Sequence, residues 1–363
     1  MNRIVVYIMA IFSLIGALDC IIGNKIGLGK KFEEGINTMG SLALSIVGIY
    51  ALAPLAADVI SPVITPLFKL IGADPSIFTS SILACDMGGY AAALKLAQSK
   101  EMVLFSGIIL ASGMGATIGF SIPFGIGVID KEDMPYFAKG ILIGIITMPI
   151  GCFVGGILIG IDSINILINL IPVIILSILL SIGLIKAPEK IMKGFGYLGK
   201  VIALLSIVGL SASIFEYLTG IALIPGLMPL KDSAWIVVSI AIILSGAYPM
   251  VYTITRVFEK PFKVVGRYLG VNEESIAGIL ACLASNIPMF LIMKDMDERG
   301  KVLNAAFAAG GAFVFGGQFG FVAGVEKGVI TPFIISKLVC GITAILLAYS
   351  LTQKNEKLVE IEV

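Results

Sequence analysis

The chain contains no histidine, and its five cysteines (Cys20, Cys85, Cys152, Cys282, Cys340) are scattered through apolar segments without a CxxC pair. Zinc, haem and disulfide-scaffold readings therefore have almost no support, and no cofactor or metal is expected. Charge is scarce as well. Only 13% of the 363 residues are Asp, Glu, Lys or Arg, and the formal net charge is +1. That balance leaves no basic surface for nucleic acid, which is excluded as a partner.

What the chain has in abundance is apolar surface, with 58% hydrophobic residues and a mean hydropathy of +1.04. Nearly every long segment is too apolar to stay in water, so an integral membrane protein is expected, with the lipid bilayer as its first partner. The opening residues, MNRIVVYIMAIFSLIGALDC, look like a signal peptide because one Arg precedes an apolar run. They lack an A-x-A-like cleavage site, and Asp19 before Cys20 fits poorly with lipid attachment, so they read as a retained first span.

A spanning helix needs about 20 apolar residues. Eleven segments reach that length: roughly 4–23, 37–58, 75–97, 102–129, 136–161, 164–185, 199–218, 233–255, 273–293, 302–325 and 331–351. The expected fold is all-α, a polytopic transmembrane helical bundle of about 10–11 spans. Several segments are interrupted by Gly and Pro, as in GMGATIGFSIPFGIG (113–127) and GGAFVFGGQFGFVAG (310–324). Backbone groups freed by such breaks survive at membrane depth only against protein or a wet cavity, so these segments should border one. The basic loops holding Lys186, Lys190, Lys193 and Lys200, and Arg256, Lys260, Lys263 and Arg267, fall on one side if every segment crosses, and that side reads as cytoplasmic.

The chain also corresponds to itself. ILAC occurs at 82–85 and 279–282, and the same offset carries Glu101 onto Glu298, Gly113 onto Gly310, Gly119 onto Gly316 and Pro135 onto Pro332. One residue more brings Gly48 onto Gly246 and Tyr50 onto Tyr248. The expected organisation is a first five-helix repeat over 1–162, a connecting span and basic loop over 163–198, a second repeat over 199–352, and a polar tail over 353–363. Duplicated units with broken helices are a transporter pattern, with substrate held near the midplane between the copies.

Asp86, in ILACDMGGY (82–90), is the sharpest site candidate. A carboxylate at membrane depth costs about 2.5–3.5 kcal/mol on insertion scales and needs a partner, which a cationic substrate would supply. The bland reading is that Asp86 caps a half-helix beginning at Met87, Gly88 and Gly89. Leu283 stands where the second copy would repeat Asp86, and Asn286 where it would repeat Gly89, an asymmetry that favours a site over a symmetric structural device. Asn286 either lines that site or satisfies a broken helix. Gln318 and Ser121 either face a cavity or tie helices together. Tyr50 and Tyr248 offer aromatic faces to a cation or anchor span ends, and Asp19 is held in reserve. No basic residue stands out as buried in a span centre, which weighs against a zwitterionic substrate.

Several stretches, FEEGINTMG (32–40), ACDMGGY (84–90), FSIPFGIG (120–127), MPIGC (148–152), GAYPMV (246–251), FEKP (258–261) and SNIPMFLIMKDMDERGKVLNAAFA (285–308), taken together resemble the EutH family of ethanolamine utilization transport proteins. The resemblance runs in order over nearly the whole chain. It implies a multi-pass permease of the bacterial inner (plasma) membrane, with no enzymatic activity, that takes up ethanolamine for a cobalamin-dependent ammonia-lyase pathway usually housed in a microcompartment. One stretch departs from the expected pattern: FGGQFGF (315–321), with Gly317 and Gln318, stands where a more polar Asp/His-bearing run is expected. With no histidine present, any proton coupling falls to carboxylates. Ethanolamine is mostly an ammonium ion at neutral pH; Asp86 would hold its charge, and Asn286 or Gln318 its hydroxyl. Transport of another small cationic or zwitterionic solute, an intramembrane enzyme and a non-transporting receptor are the alternatives, and homo-oligomerisation is left open.

Overall fold

A computed structural model describes residues 2–257 and 259–359. The last helix runs on through 353–359, so the remainder of the expected tail, 360–363, lies outside the described residues, as do Phe258 and the side chains of Lys260 and Lys263. Every regular element described is helical. Among the described residues eight helices are long and apolar enough to cross a membrane: Ile4–Ile21, Leu28–Leu70, Lys100–Val128, Met134–Ile159, Ser163–Lys186, Pro188–Thr219, Leu230–Val257 and Lys327–Thr352. This is a multi-pass helical membrane protein.

Eight is fewer than the 10–11 spans expected, and the difference has a local cause. The segments 75–97, 273–293 and 302–325 are each broken into pieces: Ser76–Ser80 and Tyr90–Leu96, Glu273–Cys282 and Asn286–Leu291, Glu298–Gly311 and Gly317–Val325. Apolar length alone cannot tell an unbroken span from two half-helices. The breaks are built from local hydrogen bonding. Ser285 accepts the Ile287 N–H at 3.2 Å and so starts Asn286–Leu291, while the backbone N–H groups of Phe313 and Phe315 donate to Cys282 and Leu283 carbonyls at 2.9 and 2.8 Å. The third break is thereby tied to the second, which satisfies backbone groups that lipid would leave unpaired.

The two stretches that correspond in sequence, 100–128 and 298–325, are not wound alike. Lys100–Val128 is continuous but passes through π-wound stretches at Phe105–Gly115 and Thr117–Ser121, whereas 298–325 is cut between Gly311 and Gly317. Lys100–Val128 is also the most enclosed of the long helices, 83% buried over its most apolar window against 28% for Pro188–Thr219. It is the central post of the bundle, and the outer helices present their apolar faces to lipid. Small residues let the backbones close up. A Cβ on Gly48 would fall inside contact distance of the Ser206 carbonyl, and one on Gly144 would meet Ala309, joining Met134–Ile159 to Glu298–Gly311.

Candidate functional site

All three breaks open onto one cavity of about 280 Å³. The first contributes Ala84, Asp86 and Met87, the second Ala284, Ser285 and Ile287, and the third Phe313, Gly317 and Gln318. Thr38, Ser41 and Ser45 of Leu28–Leu70 and Tyr248 of Leu230–Val257 complete its polar wall. The volume is just under the roughly 300–1,000 Å³ of drug-sized ligand sites, which suits a small solute.

Asp86 sits within the π-wound turn Cys85–Gly89, where Met87 and Gly88 leave helical geometry and Gly88 takes a φ of +94° that a side chain would resist. Gly89 closes this turn, its N–H donating to the Ala84 carbonyl at 2.9 Å, and a Cβ there would lie 2.5 Å from the Leu83 carbonyl oxygen. No side chain caps either Cys85–Gly89 or Tyr90–Leu96, so Asp86 does not serve its own half-helix as a cap. Among the described residues its carboxylate makes no ion pair. It is half-buried, lines the cavity, and is the one charged side chain in that lining.

Across the cavity, Gln318 occupies the first turn of Gly317–Val325. Its Oε1 accepts from Lys337 Nζ at 2.9 Å, and the same ammonium donates to the Ser112 carbonyl at 2.7 Å and lies 5.7 Å from the Phe333 ring centroid. Lys337 is only 3% exposed. Against the expectation that no basic residue lies buried in a span centre, Lys337 is one. Its signal is present in IISKLVC (334–340), a lone charge in an apolar run, which at membrane depth marks a functional candidate. Because Lys337 takes the amide oxygen, what Gln318 has left to offer is its N–H donors.

The three hydroxyls are committed in the opposite sense. Thr38 donates to the Gly35 carbonyl at 2.6 Å, Ser41 to that of Thr38 at 3.0 Å and Ser45 to that of Ser41 at 2.8 Å. Each has spent its proton on its own helix, so these side chains present acceptor lone pairs. Phe313 holds a φ of +62°, rare for a bulky residue, and packs edge-on to Phe120 at 5.9 Å to form an apolar wall.

The remaining candidates fall elsewhere. Asn286 is fully buried, its Nδ2 donating to Ser121 Oγ at 2.7 Å while Oδ1 has no partner among the described residues. The pair ties the second break to Thr117–Ser121, one layer behind the cavity lining. Tyr50 is buried edge-on to Phe321 at 6.3 Å and is not a lining residue, whereas Tyr248 is. Asp19 accepts from the Ile26 N–H at 3.0 Å and the Gly29 N–H at 2.8 Å, pinning the turn before Leu28–Leu70 away from the cavity. Tyr248, Ala284 and Ser285 are shared with a wider vestibule of about 680 Å³ lined also by Lys31, Glu34 and Arg256, which gives the cavity its way out. No cluster of metal-ligating residues occurs among those described.

The cavity thus gathers one carboxylate, hydroxyl acceptors and one amide donor, and whole-chain comparison says in which kind of protein. The family profile described as "Ethanolamine utilisation protein, EutH" matches residues 1–351. The chain belongs to the EutH family. Among EutH relatives, the "Probable ethanolamine permease EutH" of Listeria monocytogenes is 49% identical over 344 residues, covering 95% of this chain and 92% of that one. The protein of the same name from Salmonella typhimurium is 43% identical, covering 98% and 96%, and the "Uncharacterized protein YxeR" of Bacillus subtilis is 46% identical, covering 94% and 93%. No solved structure matches significantly. The family is one of permeases rather than enzymes, and in a bacterium such a multi-pass protein resides in the inner (plasma) membrane.

Proposed function

We propose that this chain carries ethanolamine across the membrane as its ammonium cation, with Asp86 as the counter-charge. The observation that carries the reading is the Asp86 carboxylate, unclaimed by any cap or ion pair, at the point where three helix breaks meet. A primary ammonium has three N–H donors. Asp86 and the acceptor lone pairs of Ser41 and Ser45 match them, and the Gln318 amide N–H matches the hydroxyl oxygen. Residues of both corresponding halves line the cavity, which supports placing the substrate between 1–162 and 199–352. Asn286 and Ser121 act in this reading by holding the second break in place, Gly89 by closing the turn that carries Asp86, and Tyr248 by flanking the exit to the vestibule. Tyr50 and Asp19 support the scaffold.

Lys337 does not turn the site toward a zwitterion. Its ammonium is occupied by Ser112 and Gln318 and lies outside the cavity lining, so a substrate carboxylate would find no free cation there.

The test is uptake of labelled ethanolamine into liposomes holding the purified chain, at mildly acidic pH to suppress leakage of the neutral amine, with and without an inside-negative potential. Saturable, potential-stimulated uptake abolished in a folded Asp86→Asn variant is the expected result. Unchanged uptake in Asp86→Asn would remove the carboxylate from the reading, and absence of protein-dependent uptake in correctly inserted protein would remove transport itself in favour of a receptor.

A further inference from the structure

Lys337 is costly where it stands. A lysine buried in an apolar helix at membrane depth is retained only with acceptors and a counter-charge. Here the acceptors are two oxygens, a main-chain carbonyl and a side-chain amide. Ser112, which supplies the carbonyl, lies in the π-wound stretch Phe105–Gly115, and Gln318, which supplies the amide, begins the half-helix after the third break. Oxygens from irregularly wound and broken helices beside a cavity are what transporters use to hold a coupling cation, and here one comes from a π-wound stretch and one from a half-helix start. In this chain an ammonium already fills the seat.

We propose that Lys337 is a tethered replacement for a coupling cation: its ammonium permanently occupies the oxygen seat formed by Ser112 and Gln318, so that transport proceeds without sodium, and its removal opens the seat to an alkali cation. Two consequences follow from the geometry. The ammonium acts on Asp86 through space without forming an ion pair with it, which leaves the carboxylate free for substrate. It also fixes the Gln318 amide with its oxygen turned inward, which makes Lys337 a positioning residue for the donor the cavity uses. The inference rests on the transport reading for its role, though occupancy of the seat can be read without transport.

The decisive measurement is the thermal unfolding of the full chain in N-methylglucamine chloride against sodium, lithium or potassium chloride at matched ionic strength, for the wild type, Lys337→Ala and Lys337→Met. A ligand that binds the folded state raises stability with its concentration. The wild type is expected to be indifferent to the cation, Lys337→Ala to gain stability saturably with sodium or lithium, and Lys337→Met, which fills the seat without charge, to gain nothing. Saturable stabilisation of the wild type by sodium would overturn the proposal, as would a folded Lys337→Ala chain indifferent to all three ions. Lys337→Ser, smaller than the seat and able to lend a hydroxyl oxygen, answers the same question if the alanine variant does not accumulate.

Uptake supplies a second arm. Ethanolamine transport by the wild type should be unchanged when sodium is replaced by N-methylglucamine, whereas that of Lys337→Ala should rise with sodium by roughly fivefold or more, the lower end of ordinary coupling between sites. Strict sodium dependence in the wild type overturns the proposal whatever the variants do. Absence of ethanolamine uptake in every medium would fail the transport reading alone, and the unfolding measurements would still decide the fate of Lys337.

Discussion

The Oδ2 of Asp86 lies 4.0 Å from the point a Cβ on Gly317 would occupy, an ordinary contact distance. Glycine at 317 therefore keeps open the space in front of the carboxylate. Gly317→Ala should fold normally, because nothing else lies within 4 Å of the added methyl. It should weaken ethanolamine uptake through KM, by about 1 kcal/mol or roughly fivefold, the lower end of what one methyl group does in a binding site. Gly317→Val should lose uptake altogether. Normal kinetics in the valine variant would show that substrate does not pass between residues 86 and 317.

Replacement of Asp86 by Asn removes one member of a desolvated charge pair with the bound ammonium. Such truncations cost about 2–5 kcal/mol, so half-saturation should rise by a factor between roughly 30 and several thousand. Direct binding of labelled ethanolamine to purified protein measures this separately from translocation.

Gln318 should govern recognition of the hydroxyl. Lys337 holds its amide oxygen, so the amide N–H donors are what Gln318 has left for a solute in the cavity it lines. Competition with ethylamine, which lacks the hydroxyl, should be much weaker than with ethanolamine in the wild type, since a site built to hydrogen-bond a hydroxyl discriminates strongly against its absence. In Gln318→Leu the two amines should compete about equally. Choline, with no N–H to offer the serine and carboxylate acceptors, should compete poorly in either protein.

Carriage of a single positive charge should make transport electrogenic. An inside-negative potential of about 100 mV contributes about 2.3 kcal/mol per charge, enough for roughly 50-fold accumulation at equilibrium. Collapse of the potential with an ionophore should dissipate the accumulated label. Accumulation that ignores the potential would indicate that the amine crosses without net charge.

Asp19 provides a contrasting carboxylate. Its two oxygens are taken by the Ile26 and Gly29 N–H groups. Asp19→Ala should lower the unfolding midpoint by leaving those amides unpaired, while the protein that remains folded transports with unchanged KM. A KM defect there would place Asp19 in the substrate path.

Composition pointed to lipid as the solvent, and apolar runs of about 20 residues in a chain 58% hydrophobic with 13% charged residues pointed to a helical bundle there. A lone carboxylate in ILACDMGGY was legible for the same reason, because a charge at membrane depth is expensive wherever it is placed. Lys337 carried the same signal in weaker form, as a single basic residue within an apolar run. What hydropathy could not resolve was where helices stop. The segments 75–97, 273–293 and 302–325 have the length of spans, and only tertiary packing reveals their breaks, since the partners that satisfy the interrupted backbone, such as the Cys282 and Leu283 carbonyls for Phe313 and Phe315, come from other segments of the chain. The same holds for the roles of the polar residues. Asn286 and Gln318 are both amides beside broken helices, yet one binds Ser121 behind the cavity and the other faces the cavity with Lys337 at its back. Polar residues in apolar runs require partners wherever they are buried; the three-dimensional meeting of the three breaks sets which partners those are, because hydrogen bonds join atoms by distance and direction and not by position along the chain.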